Sequence, residues 1–219
     1  MLELALLLGF GAFTLRNLQV REEENVIIPR KISERLGKLW DIAHQGMREN
    51  RLNRAEKALL TILKIDKKNA AAYNRLGILY AKQKEYKDAI DCFEIASSIE
   101  PTASSLHNLG LIYYETENYE RAAVAFEQAL RLEDNLAARH IAYAKVQEKL
   151  DNKKIMLKEL QKAVELEPSR ESYTLLMNGY ANMGMQSEAD QIEDKLKRMR
   201  NTRSKTPKKS VKRPRKVVI

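Results

Sequence analysis

The residues able to carry nucleophilic or metal chemistry are few: Cys92 is the single thiol, and His44, His107 and His140 are the only imidazoles. One thiol excludes a disulfide framework and any multi-thiolate zinc or iron–sulfur site within the chain, and it fits a reducing compartment. His107 and His140, 33 residues apart, are candidates for neighbours on adjacent helices, but the three histidines form no motif and have no carboxylate or thiolate partner that the sequence identifies, so they read as lining or packing residues. There is no glycine-rich phosphate loop, nucleophile elbow or His-Glu-x-x-His segment. The expectation is a chain that is not an enzyme and holds no metal or cofactor.

What remains with chemical potential is charge. Residues 197–219 hold eleven Lys or Arg and no Asp or Glu; of the formal +9 on the whole chain, the remainder accounts for −2. Basicity therefore belongs to a tail. Lys205, Lys208, Lys209, Lys212, Arg213, Arg215 and Lys216, interrupted by Pro207 and Pro214, follow no hydrophobic period, and the tail is expected to be disordered. Such a segment binds phosphates of DNA or RNA, ribosomal RNA included, with an affinity that falls as salt rises. It also suits an anionic lipid leaflet, where each cation near the surface contributes about 1 kcal/mol. With no aromatic side chain in the tail to stack on bases, nucleic-acid binding of this kind is non-specific.

The elements that would position any lining residues are legible as a repeat. The chain has 219 residues, 44% hydrophobic, with eight Gly and five Pro, which excludes collagen-like, mucin-like and wholly disordered classes. The segment from Ala70 to Thr102 aligns with that from Ala103 to Leu136: Leu76-Gly77-x-x-Tyr80 recurs as Leu109-Gly110-x-x-Tyr113, and Tyr86, Ala89, Phe93 and Ala96 recur as Tyr119, Ala122, Phe126 and Ala129, each 33 residues on. Within a unit, apolar and small residues recur at steps of three and four through two stretches, which predicts a helical hairpin. Gly77 and Ala89 allow the two helices to approach, Tyr80, Tyr86 and Phe93 fill the space beside the contact, and Pro101 and Pro168 stop second helices.

These residues and this spacing resemble the tetratricopeptide repeat, a helix-turn-helix unit of ~34 residues. Extending the frame gives units at 36–69, 70–102, 103–136, 137–169 and 170–203, with departures at Gly46, where Tyr is usual, at Met156, where a small residue is usual, and at Glu193, where an aromatic is usual. A polar departure at the end of a stack suits a capping repeat. The resemblance implies an all-α, right-handed α-solenoid of about five hairpins spanning 36–196, whose first helices line a concave surface that holds an extended or helical peptide. Projection onto that geometry turns Trp40, His44, Met47, Asn74, Ile78, Lys82, His107, Leu111, Tyr114, Ile141, Lys145 and Lys149 toward the groove. Aromatic and apolar anchors interleaved with polar groups suit a peptide ligand. Trp40 has a second reading, as a residue packed against neighbouring chain. Some members clamp a terminal carboxylate with Lys, Asn and Arg over three repeats; Asn108 fits, but Asn74, Ile78, Ala138 and Ala142 do not. Arg75, Arg139, Lys145 and Lys149 then read as a solvated face.

Residues 2–15 are apolar on every helical face except at Glu3. Fourteen residues at ~1.5 Å span ~21 Å against a hydrocarbon core of ~30 Å, so a spanning helix must extend through residue 20, with Arg16 snorkelling. Arg16, Arg21, Arg30 and Lys31 follow the run, and the positive-inside rule then places the repeats in the cytoplasm. The competing reading is a helix docked on the first repeat of a soluble cytoplasmic protein. The start Met1-Leu2-Glu3-Leu4-x-Leu6-Leu7-Leu8 before a repeat array resembles the bacterial inner-membrane tetratricopeptide family that regulates lipopolysaccharide assembly. That family also has a rubredoxin-type domain with paired Cys-x-x-Cys motifs; Cys92 alone cannot supply one, so the metal and the regulatory role are not implied. The expected organisation is an apolar helix at 1–20, a lead-in at 21–35, the array at 36–196 and a basic tail at 197–219 that overlaps the end of the last repeat. Its expected role is an adaptor for a protein or peptide partner, with a nucleic-acid- or ribosome-associated adaptor as the alternative.

Overall fold

A computed structural model describes residues 30–204, with side chains through residue 200. Among these residues there are ten α-helices and no strand. They pair as five antiparallel hairpins: α1 (Arg30–Arg48) with α2 (Leu52–Ile65), α3 (Ala70–Gln83) with α4 (Tyr86–Ile99), and α5 (Ala103–Glu115) with α6 (Tyr119–Leu132). α7 (Ala137–Lys149) then pairs with α8 (Lys153–Leu166), and α9 (Arg170–Asn182) with α10 (Gln186–Ser204). Every helix packs on its predecessor and successor, and the first helices α3, α5 and α7 also touch in series. This is the nearest-neighbour connectivity of a solenoid.

Local chemistry sets the boundaries. Asn69 caps α3 by accepting from the Ala72 amide at 2.9 Å, and Thr102 with Ser105, then Ser169 with Ser172, form capping boxes at α5 and α9. These side chains satisfy amides that lack partners in a helix's first turn. Pro101 and Pro168 stand two residues past the ends of α4 and α8. Each hairpin turn uses one left-handed residue: Asn50, Lys84, Glu117, Asp151 and Gly184 have φ of 56°, 63°, 60°, 56° and 72°.

Inside a hairpin, bulk on one helix answers its absence on the other. A Cβ built on Gly77 would lie 2.7 Å from the Phe93 ring, and one on Gly110 would lie 2.9 Å from the Phe126 ring. Both rings are buried. The same two positions hold Ala43 with Leu59 in the first hairpin and Ala144 with Leu160 in the fourth, all buried. Met156, in place of the usual small residue, is also buried; Gly179 of the next hairpin makes room, since a Cβ there would meet Leu160 at 3.1 Å and the Met156 terminal methyl at 3.4 Å.

Between hairpins, tyrosines at one repeat position tie the second, third and fifth units to the one before, while the fourth has Gln147 there, bonded to Asn152 of its own hairpin at 2.8 Å. Tyr80 donates to Glu56 at 3.0 Å, Tyr113 donates to Glu94, and Tyr180 accepts from Gln161 at 2.9 Å. Burial, followed by the hydrogen bond to Glu56, pushes the Tyr80 hydroxyl up to about 12; the same causes, with Glu94 as partner, raise Tyr113. Gly46 occupies this position in the first hairpin, which has no preceding hairpin among the described residues, and its missing side chain leaves room for Ala55, whose backbone nitrogen would lie 3.0 Å from an added Cβ.

At the end of the array, Glu193 is exposed and paired with Lys197 at 3.1 Å, so the aromatic position of the last hairpin faces water. α10 continues to Ser204, so residues 197–204, where the last unit and the basic segment overlap, are helical. The apolar run at 2–15, the lead-in up to residue 29 and the cationic residues from Lys205 to Lys216 lie outside the described residues. Among the described residues no helix is long and apolar enough to cross a membrane.

Candidate peptide-binding groove

Nine of the twelve projected residues fall into two recesses. The larger, ≈ 560 Å³, lies between α1 and α3 and is lined by His44, Met47, Arg48, Arg75, Ile78 and Lys82. Arg48, Arg75 and Lys82 have no ion-pair partner among the described residues, so this recess is cationic. Trp40 belongs to a different environment: half-buried, it packs on the core formed by Ala43, Leu59, Ile62 and their neighbours, with its ring centroid 5.5 Å from that of His44.

The second recess, ≈ 360 Å³, is built by α5, α7 and the start of α9. Helical spacing places His107, Leu111, Tyr114 and Glu115 on one face of α5, and Ala138, Ile141, Ala142 and Lys145 on the facing side of α7. The alanines keep the α7 wall low, so the floor is apolar and open. Leu111 is 38% exposed, a large aliphatic side chain offered to solvent without a covering partner among the described residues. Tyr114 is held by an edge-on contact with Tyr119, with centroids 5.7 Å apart, which fixes the ring that faces the groove. Glu115, Glu167 and Glu171 stand along the rim, with Lys145 as their cationic counterpart.

His107 is set deeper. Its ring meets Phe126 edge-on at 5.4 Å, and Nδ1 is buried without a hydrogen-bond partner among the described residues. Burial, and then the nearby charge of Arg139, lower its pKa below the ordinary 6.5, so a neutral ring is favoured there.

Of the remaining projected residues, Asn74 spends its amide oxygen on Asn108 at 3.4 Å, a link between the first helices α3 and α5. Lys149 is exposed at the end of α7 and lines neither recess. Two further expectations need correction. Arg139 is no solvated cation: its side chain is 3% exposed and holds the α6–α7 connection through the Glu133 carbonyl and, at 3.3 Å, the Glu133 carboxylate. His140 does not join His107 in lining the groove either; its Nδ1 lies 2.6 Å from Glu159 and its Nε2 2.8 Å from the Asp134 carbonyl. A buried ring held on both nitrogens is a structural group. Sequence inspection missed Glu115, Glu167, Ser169, Glu171 and Ser172, which reach the groove from helix ends and a connection where no period singles them out.

Comparison with known proteins bears on the fold and on the repeats. The tetratricopeptide repeat profile matches residues 68–135. No curated protein matches the chain in sequence. Among solved structures, a crystal structure of MamA superposes with a TM-score of 0.72 at 19% identity, covering 80% of this chain and 97% of that one. MamA 41-end from Desulfovibrio magneticus RS-1 gives 0.70 at 17% identity, covering 78% and 97%. YrrB, described as a TPR protein with an unusual peptide-binding site, gives 0.62 at 22% identity, covering 70% and 80%. The chain thus carries tetratricopeptide repeat sequence over residues 68–135, and its array of helical hairpins has the fold of these repeat proteins.

Proposed function

We propose that this chain is a non-catalytic interaction scaffold that holds a segment of a partner protein in the groove formed by α5, α7 and α9. The observation that carries this is the open apolar floor of Leu111, Tyr114 and Ile141 between first helices, rimmed by polar groups able to pair with a peptide backbone. The similarity to YrrB, described as having an unusual peptide-binding site, supports the same use of the fold. The test is selection of peptides from a display library on the full chain, followed by titration against a Leu111→Ala and Tyr114→Ala double variant. A hot-spot pair at the groove centre should weaken the selected peptides by ~30-fold or more while the helical melt is nearly kept. Unchanged affinity would remove this groove as the binding site.

The apolar run at 2–15, followed by Arg16, Arg21, Arg30 and Lys31, supports tethering of the scaffold to the cytoplasmic face of a membrane. Retention in a carbonate-washed membrane pellet is the expected result. Release by salt alone would favour the alternative, an adaptor held to nucleic acid or anionic surfaces by Lys205, Lys208, Lys209, Lys212, Arg213, Arg215 and Lys216. Because α10 runs to Ser204, charge-neutralising changes from residue 205 onward test the tail more cleanly than a deletion from 197.

A further inference from the structure

We propose that the groove formed by α5, α7 and α9 accepts residues 205–219 of the same chain, so that the cationic segment following α10 is the groove's resident occupant. Resting on the groove assignment above, this names what an external peptide must displace.

The first support is where the segment starts. α9 and α10 run antiparallel through the turn at Gly184, and Lys195 Nζ lies 5.9 Å from the Tyr173 ring centre, so these residues are level across the hairpin. Ser204 is nine residues beyond Lys195, ~13 Å further at ~1.5 Å per residue, and this carries the end of α10 past Arg170 at the start of α9. Glu171 and Ser172, in that same first turn of α9, line the groove. α10 therefore ends on the side of the array where Glu171 and Ser172 line the groove, and the fifteen residues from 205 span at most ~50 Å.

The second support is complementarity. Glu115, Glu167 and Glu171 have no ion-pair partners among the described residues, whereas the α1–α3 recess presents Arg48, Arg75 and Lys82 and would repel a cationic strand. The segment supplies cations at Lys205, Lys208, Lys209, Lys212, Arg213, Arg215 and Lys216, with Val211, Val217, Val218 and Ile219 for an apolar floor. Pro207 and Pro214 disfavour helix at the residues before them, and an extended strand is the shape an open groove takes. Tethering contributes the rest, because a linked segment experiences an effective concentration near the millimolar range.

Carbodiimide cross-linking of the full chain at low salt, mapped by mass spectrometry, tests this directly. Cross-links from the lysines between 205 and 216 should concentrate on Glu115, Glu167 and Glu171. In a mixture of isotope-labelled and unlabelled chains they should join residues of one isotopic kind only. Cross-links spread evenly over exposed carboxylates would overturn the proposal, and so would mixed-isotope products, which would mean a second copy. A companion titration separates this from the groove assignment. Display-selected peptides should bind about tenfold tighter once the basic residues of the segment are changed to Gln, since a tethered competitor is removed. Equal affinity in both forms overturns the tail as occupant and leaves the groove standing. If no peptide binds either form, the groove assignment for external partners falls, and the cross-link map alone decides the tail.

Discussion

Gly77 and Phe93 occupy one volume between them. Gly77→Ala forces its new methyl into a buried ring and should cost ~1–3 kcal/mol, while Phe93→Leu leaves a void and also destabilises. Since the first and fourth hairpins already use Ala with Leu at these positions, the double variant should lose less than the sum by at least ~0.5 kcal/mol in urea unfolding. Strict additivity would mean the two sites do not share the space. His107 gives a pH signature. Its folded pKa lies below the ordinary 6.5, so the unfolded chain takes the proton first; the stability this ring contributes is whole above pH 6.5 and is lost as pH falls below it. Acidification from pH 7.5 to 5.5 should therefore lower the Tm of the natural protein more than that of His107→Gln. An equal drop would clear His107. At this scale the sequence showed Leu111, Tyr114 and Ile141, because they sit on the repeat's own period. It misjudged Arg139, since a cation's type says nothing about whether a neighbouring loop will close over it.

The hairpin turn is the element most plainly shared, and four of its five left-handed residues are not glycine. A side chain in this conformation costs roughly 1–2 kcal/mol, less for Asn and Asp, so Lys84 and Glu117 carry the largest penalty. Lys84→Gly and Glu117→Gly should each stabilise by ~0.5 kcal/mol after the greater entropy of an unfolded glycine is counted, and Gly184→Ala should destabilise by ~1 kcal/mol. A loss of stability for both glycine substitutions in thermal melts would show that something other than φ governs these turns. The helices were legible because each hairpin repeats its predecessor's apolar pattern 33 or 34 residues later, with caps and prolines at the joins. The last helix was less so: beyond Leu196 its residues are mainly cationic, and helical phase continues there without an apolar period to announce it.

Across the whole array, the buried residues form three clusters, each drawing on more than one hairpin, so no hairpin completes its core alone. Stability should then be highest in the middle, where both faces of a unit are covered, and lowest at α10, which among the described residues has a hairpin on one side only. Hydrogen exchange should find the slowest amides in α4, α5 and α6 and the fastest helical amides in α10; uniform protection throughout would mean the array unfolds as one unit. Stacking also explains why the acidic rim escaped the sequence. Glu115 ends α5, whereas Glu167 and Glu171 flank the join between α8 and α9, and the two places become neighbours only when one hairpin is laid against the next.

The tyrosine ties have a further consequence. Tyr80 resists ionisation until about pH 12, and Tyr113 is held back as well, because burial, and then a hydrogen bond to a carboxylate on the preceding hairpin, favour the protonated hydroxyl. The late-rising part of the tyrosinate absorbance is consequently a built-in gauge of whether these two joints between repeats are shut. It needs no attached dye, and it registers parting of adjacent units separately from melting of the helices themselves.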